Sequence, residues 1–378
     1  MYDVISLLTN RYDFFLQLLW EHIEISLSAS IIAIIIGGLL GILIYDYKRL
    51  SGPVMVVVNF LYTIPSISML GLLLYVSGVG NTTAIIALVI YALLPMVRNT
   101  FTGLNQIKND MREAGIALGL TRLQRLWNIE IPLAMPTIMA GIRTMLVMTI
   151  ALTGIASFIG AGGLGVAIYR GITTNQSALT IAGSLLIALL AIVVDALFSI
   201  GERVTRISPH MKRYTIIFLS VMTLIAMAVG GWSLYCRYVK ADVIHIATKP
   251  MTEQLILGNV LKKLIEHKTG LTVEVTEGVG GGTSNIQPAM RTGQFDIYPE
   301  YTGTAWSAVL KRTDAYDESR FNELSQAYKE AYNFEWVGMY GFNNTYGLAV
   351  RNELAHTYGL KSYSDLARIA PSLTLGGE

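Results

Sequence analysis

MREAGIALGLTRLQRLWNIEIPLAMP, Met111 to Pro136, is a polar, helix-coded island between long uncharged runs. Glu113-Ala114-Gly115 is followed by a helix-stopping Gly119, and Thr121-x-x-Gln124 has the form of a capping box that starts a second short helix. Two short helices therefore make a knob. Arg112, Arg122 and Arg125 are expected to keep it in water, while Leu118, Leu120, Leu123, Leu126 and Trp127 leave apolar surface that a partner could cover.

On either side of the island the chain is written for a membrane. Residues 25–45, 53–97, 144–169 and 171–194 contain no Asp, Glu, Lys or Arg, and about 20 apolar residues at 1.5 Å each cross a bilayer. The run 53–97 is long enough for two crossings, split near Val79-Gly80-Asn81, and Pro65 is expected to kink the first of them. A further uncharged run, 214–236, makes the sixth crossing. Composition agrees: of 378 residues 53% are hydrophobic and 14% charged, which is too apolar for an ordinary soluble chain. Residues 1–20 carry Asp3, Arg11 and Asp13 among apolar side chains, so they suit an interfacial amphipathic segment better than a cleavable signal peptide. A net charge of +2 gives nucleic-acid binding nothing to rest on. The single cysteine, Cys236, rules out a disulfide framework and a multi-thiolate metal site, and Tyr235 before it is too large for a lipidation signal. No metal site is expected.

Lys and Arg are retained on the cytoplasmic side. Lys48, Arg49, Arg98, Lys108, Arg112, Arg122, Arg125, Arg143, Arg203, Arg206, Lys212 and Arg213 fall in alternate loops, against Arg11 and Arg170 on the other side up to the sixth crossing. This puts the amino terminus outside, the island inside and everything after residue 240 outside.

Glu113-Ala114-x-x-x-x-Gly119, followed by Ile129-x-Ile131-Pro132-x-Ala134-x-Pro136-x-Ile138, resembles the cytoplasmic coupling loop of bacterial ABC-importer permeases. The resemblance implies a type I importer permease over residues 21–205, with a coupling loop at 107–131. It also implies a separate ABC ATPase that docks on Glu113, Ala114, Gly119 and Leu120, and a second permease copy as partner. The cluster Gly160-Ala161-Gly162-Gly163-Leu164-Gly165 is expected to be a bend at the outer end of the pore. No Lys-Ser or Lys-Thr follows it, so it is not a nucleotide loop.

After a sixth crossing and linker at 206–240, residues 241–378 change character. Strand (243–247), helix (253–267), strand (271–276), glycine turn, helix (285–291) and strand (295–298) alternate, which argues for a parallel sheet with ligands at the carboxyl ends of its strands. Three loops meet there: Thr248 to Gln254, Gly280 to Ser284, and Tyr298-Pro299-Glu300-Tyr301-Thr302-Gly303-Thr304. These motifs resemble the substrate-binding proteins of glycine betaine, choline and carnitine importers. They imply an extracytoplasmic α/β domain of the periplasmic-binding-protein type II kind, truncated in its second lobe. Carried over by motif, Gln254, Tyr301, Thr304 and Tyr346 are the expected ligand residues, with Thr252 beside them. Aromatic faces suit a trimethylammonium group, which cannot donate a strong hydrogen bond. The backbone N–H groups of Gly282 and Thr283, opening a helix, suit a betaine carboxylate. Tyr298 reads as a packing residue or a ligand residue, and Asp296 and Glu300 as structural or rim residues able to answer a cation. The glycine- and amide-rich loop 278–288 has room for a larger betaine such as ergothioneine.

The chain thus reads as an importer permease fused to its own binding protein, in the bacterial plasma membrane. It carries no cofactor of its own, since it lacks Gly-x-x-x-x-Gly-Lys-[Ser/Thr], and ATP would be used by the partner. Two other readings are a membrane ligand sensor, which wants a cytoplasmic output domain, and an ion-coupled carrier, which wants intramembrane carboxylates. Asp195 stands near membrane depth, where it suits a structural cap. The five scattered histidines give no nucleophile–base spacing for an enzyme.

Overall fold

The computed structural model describes residues 2–207, 243–291, 293–344 and 348–374. The chain forms two compact units, Met1–Glu300 and Tyr301–Glu378.

The first unit starts with helices α1 (Tyr2–Asn10) and α2 (Tyr12–Asp46). Residues 12–20 are therefore the beginning of a 35-residue helix, and Phe15, Leu18 and His22 are buried along it. Helices α3 (Lys48–Thr63) and α4 (Ser66–Ser77) follow, bent by 100° at Ile64-Pro65, so the expected kink is a full corner. The carbonyl of Ile64, left over at that corner, accepts the hydroxyl of Tyr91 from helix α5 (Asn81–Asn105).

The knob follows as α6 (Asn109–Ala117) and α7 (Arg122–Arg125). Gly119 sits at φ 74°, with Leu120 N–H donating to Gly115 O at 3.1 Å and Gly119 N–H to Ile116 O at 2.9 Å, a Schellman stop. Thr121 and Gln124 close the capping box in both directions. The second short helix is not separate, however. It runs through one wide π turn (Leu126–Glu130), where Ile131 N–H reaches back to Leu126 O, into α8 (Ile131–Ala156). The fourth spanning helix accordingly begins well before residue 144, because the charges that hid it are paired. Glu130 is held by Arg122 and Arg125, and Arg143 by Asp195 through bonds of 2.5 and 2.6 Å. Arg143 is thus a helix residue, and Asp195 is its partner rather than a cap. Helix α8 gives way to a 3-10 turn, Gly160 at φ 72° and the glycine cluster, then α9 (Gly165–Thr173) and α10 (Ser177–Ile207). Among the described residues four helices are long and apolar enough to cross a membrane, and the bent α3–α4 pair has the length and apolarity of a broken span or a re-entrant loop. The sixth expected crossing, 214–236 with Cys236, lies outside the described residues.

Small residues hold the helices together. A Cβ on Gly41 would lie 2.6 Å from Thr100 Cβ of α5, one on Gly37 2.8 Å from Met96 Cβ, and one on Gly141 of α8 2.5 Å from Asn99 Cβ. Such close backbone approach is the usual cement between helices in lipid.

The remainder of the first unit is a small α/β lobe: β1 (Val243–Ala247), α11 (Thr252–Thr269), β2 (Thr272–Thr276) and α12 (Thr283–Arg291). The strands are parallel, with Val243 opposite Thr272 and Ala247 opposite Thr276. The third expected strand, 295–298, is reduced to one parallel bridge, Ile246 to Ile297, because Pro299 cannot donate to a ladder.

In the second unit Trp306, Leu324 and Tyr328 form a core against Trp336, beside helix α13 (Phe321–Tyr332). The Arg320 guanidinium lies 4.1 Å from the Trp306 ring centre and, by hydrogen bonding, holds the carboxyls of Asp314 and Glu323 below the usual carboxylate range. Helices α14 (Asn352–Tyr358) and α15 (Tyr363–Ile369) complete it.

Gly41→Leu is expected to force α2 from α5 at a cost of about 1–3 kcal/mol, read as a lowered melting temperature in detergent, whereas Gly52→Leu, with open space at its Cβ, should leave it unchanged.

Candidate functional site

The carboxyl ends of β1 and β2 are stitched together by Thr248. Its backbone N–H donates to Thr276 O at 3.0 Å, its carbonyl accepts from Val279 N–H at 2.8 Å and its hydroxyl oxygen from Gly278 N–H at 3.1 Å. This fixes the glycine loop over the strand ends. Lys249 follows, its side chain 4% exposed, ion-paired to Glu300, 3% exposed. The other oxygen of Glu300 accepts the Thr283 hydroxyl at 2.7 Å. Lys249, Glu300 and Thr283 thus make one buried polar cluster that ties the start of α12 to both flanking loops. Glu300 is a structural residue with its charge matched, not a counter-ion at the rim.

Gln254, in the first turn of α11, is fully buried, and neither its amide nitrogen nor its amide oxygen has a hydrogen-bond partner in the structure. A buried amide without partners costs roughly 1–3 kcal/mol per group; Gln254 leaves both of its amide groups so, and Gln287 leaves its Nε2. Thr252 is exposed at the helix start. Of the two amides expected to receive a carboxylate, that of Gly282 is turned inward onto Val279 O at 3.2 Å, and the Thr283 hydroxyl is committed to Glu300. The turn thus uses the Gly282 donor for its own closure. Tyr298 donates to Gln287 Oε1 at 2.9 Å and packs on the lobe core, and Asp296 accepts the His245 backbone N–H at 2.7 Å. Both have structural roles. Tyr301 and Thr304 belong to the second unit, where they are half-buried and Tyr301 O accepts Ala305 N–H at 2.9 Å at the opening of a short helical turn (Thr302–Thr304). Tyr346 lies outside the described residues.

The lobe rests on the spanning helices. Val79 N–H, between α4 and α5, donates to Gln294 Oε1 at 2.8 Å, and Val79 packs with Val279 and Phe295. Arg170 of α9 pairs with Glu277 at 2.8 Å, whose second oxygen accepts Asn259 Nδ2 at 2.7 Å. A Cβ on Gly280 would fall 2.2 Å from Phe158 O, so this glycine is required where the loop meets the end of α8. None of Lys249, Glu277 and Gln294 stands out in the sequence. The single hint is Lys249, a charge followed by proline directly after an apolar strand.

At the other end of the spanning helices the knob exposes Ile116, Leu118, Leu123 and Trp127. Glu113, Ala114 and Gly119 are exposed with them and Leu120 is half-buried. Leu126, expected on that surface, is buried in the core beside Tyr45. The arginines do more than keep the knob wet: Arg122 and Arg125 clasp Glu130, which is 1% exposed, and Arg112 and Arg122 lie 5.0 and 5.4 Å from the Tyr45 ring.

Residues 30–207 match the inner membrane component of binding-protein-dependent transport systems, and residues 242–378 the substrate-binding domain of ABC-type glycine betaine transport systems. The chain is similar to the ergothioneine transport permease/ergothioneine binding protein of Helicobacter pylori, 37% identical over 360 residues, 93% of this chain and 64% of that protein. It therefore spans a little under two thirds of that relative's length. It is also similar to the glycine betaine/carnitine/choline transport system permease protein of Bacillus subtilis, 44% identical over 199 residues, 52% of this chain and 86% of that one. The osmoprotectant import permease of Salmonella typhimurium is 42% identical over 198 residues, 51% of this chain and 92% of that one.

Lys249→Met leaves the Glu300 carboxylate buried and uncompensated and is expected to destabilise the lobe by about 3–5 kcal/mol. Lys249→Met combined with Glu300→Gln should recover most of that loss, with limited proteolysis of the lobe as the readout.

Proposed function

Because the chain belongs to the family of inner-membrane permeases of binding-protein-dependent transport systems, with a glycine-betaine-type binding domain at residues 242–378, we propose that it is the permease and substrate-capture subunit of an ATP-driven importer for a betaine-type solute. The observation that carries this reading is the presence of both modules in one chain, 93% of which aligns with a relative named as permease and binding protein together. Glycine betaine, choline, carnitine and ergothioneine are the candidate solutes.

In this reading the chain sits in a bacterial plasma membrane, with the binding domain outside and the knob in the cytoplasm. Carried over by motif, Tyr301 and Tyr346 are the residues whose aromatic faces suit a trimethylammonium group, and Thr304 is carried over with them. Within the lobe, the buried amide of Gln254, which has no partner, and the backbone N–H of Thr283 are the groups suited to a polar ligand atom. A separate ABC ATPase covers Leu118, Leu123 and Trp127 and grips Glu113, Ala114, Gly119 and Leu120. Two copies of the chain line one path. The chain itself catalyses no reaction, and ATP is bound and hydrolysed by the partner.

Calorimetry on the purified chain with the four solutes tests the reading, and absence of binding to all of them would remove it. Tyr301→Ala is expected to weaken the best binder roughly 2- to 30-fold, the span of about 0.5–2 kcal/mol for a cation on an aromatic face. Glu113→Ala or Gly119→Ala should abolish solute-stimulated ATP hydrolysis in the reconstituted complex and leave solute affinity unchanged, and normal turnover would show that the knob is not the coupling element.

A further inference from the structure

Helix α2 has no proline and no residue at positive φ along its 35 residues. It is packed on α5 through Gly37 and Gly41, where the two helices cannot slide without collision. From Glu21 to Asp46 it spans about 37 Å at 1.5 Å per residue. Its last turn, and a point about two and a half turns in from its start, are tied to other parts of the molecule by side chains.

At the knob end Asp46 pairs with Arg122, which also binds Glu130 at 2.8 Å, and Arg125 binds the second oxygen of Glu130 at 2.9 Å. Tyr45, the neighbour of Asp46, receives both Arg112 of α6 and Arg122 of α7 on its ring. Arg112 also donates to Leu104 O at 2.8 Å. Both knob helices are thus clamped to the last turn of α2, and the buried Glu130 makes the clamp stiff in a way that exposed ion pairs are not.

In its first half Glu21 accepts Gly163 N–H at 3.0 Å, and His22 Nε2 lies 2.9 Å from Ile150 O. A Cβ on Gly162 would sit 2.5 Å from Glu21 Oε2 and one on Gly163 3.1 Å from His22 Nδ1, so the glycine cluster is moulded to α2. Asn81 accepts Gly162 N–H at 3.0 Å. On its far side the same cluster carries the lobe: a Cβ on Gly160 would meet Val79 at 2.9 Å and Val279 at 3.2 Å.

We infer that Glu130, Asp46 and Tyr45 at the knob, and Glu21 in the first half of the helix, are positioning residues that make the stretch of α2 between them a rigid strut from the knob to the glycine loop under the binding lobe. A displacement of the knob then arrives at Gly162 and Gly163 as a displacement of α2, about 37 Å away. Only the identity of what pushes the knob, an ATPase, rests on the function proposed above.

Spatial continuity alone does not demonstrate coupling, so the test is hydrogen–deuterium exchange by mass spectrometry on the full chain in nanodiscs, with neither solute nor ATPase present. Failure there is distinct from failure of the importer reading. Glu130→Gln and Asp46→Asn should speed exchange of the Gly162 and Gly163 amides about fivefold or more, with amides between α9 and α10 unchanged. Reciprocally, Glu21→Gln should speed exchange of the Gly119 and Leu120 amides in the knob, since coupling between two sites is mutual. Asp46→Glu should restore the slow rate. Met111→Ala, exposed in the knob and outside the surface assigned to the ATPase, should have no effect at the glycine loop. Faster exchange confined to the mutated end, or a uniform rise across all helices, would overturn the strut. Should Glu130→Gln not fold, the half-exposed Asp46→Asn still decides the matter.

Discussion

Between helices surrounded by lipid tails, apolar side chains gain nothing by meeting one another, so close approach of backbones has to supply the attraction. Everything in the spanning unit depends on that approach. Gly37 and Gly41 bring α2 onto α5 and Gly141 brings α8 onto α5, each blocked by a single methyl group, while one on Gly103 would press on Ala134 O at 3.1 Å. Because these contacts are hard rather than greasy, the three helices form a frame. The charged clamp at one end and the glycine cluster at the other can then be held in register.

The frame also explains where the ionised groups are. Glu130 is buried between two arginines, and Arg143 reaches Asp195 on a neighbouring helix. In each case the charge is matched and hydrogen-bonded by a fork of N–H donors, the geometry in which burial is tolerable. The lobe matches a buried charge in a different way, with the single ammonium of Lys249 on Glu300. Polar pairs therefore mark the joints, where one element is fastened to another.

The parts of the fold that obey local rules could be read from the sequence. Pro65 broke a helix, Gly119 stopped one, and Thr121 and Gln124 capped the next, because each acts within four residues of itself. What depended on distant partners could not be read. The fourth span was placed too late because Glu130 and Arg143 look like loop residues until their partners are known. The third strand shrank to a bridge where Pro299 removes a donor. Of the candidate ligand residues, Gln254 stands out by being buried without a partner, a property no spacing rule reports. The turn's own folding uses up the Gly282 amide, and the motif that named the loop says nothing about where its hydrogen bonds go. Lys249, Gln294 and Glu277 were missed because their partners are tens to hundreds of residues away.

The wide turn at Leu126–Glu130 has a consequence for the direction in which side chains point. Four residues of ordinary α-helix overshoot a full revolution by about 40°, so two such steps from Arg122 would swing the eighth residue well to one side. A wider turn rotates less per residue and takes back the drift of the first step. Arg122, Leu126 and Glu130 consequently stack along one line facing inward, while Leu123 and Trp127 stay outside. The π turn works as a phase correction: one helix presents an ionic seam to its own protein and an apolar one to whatever lies beyond.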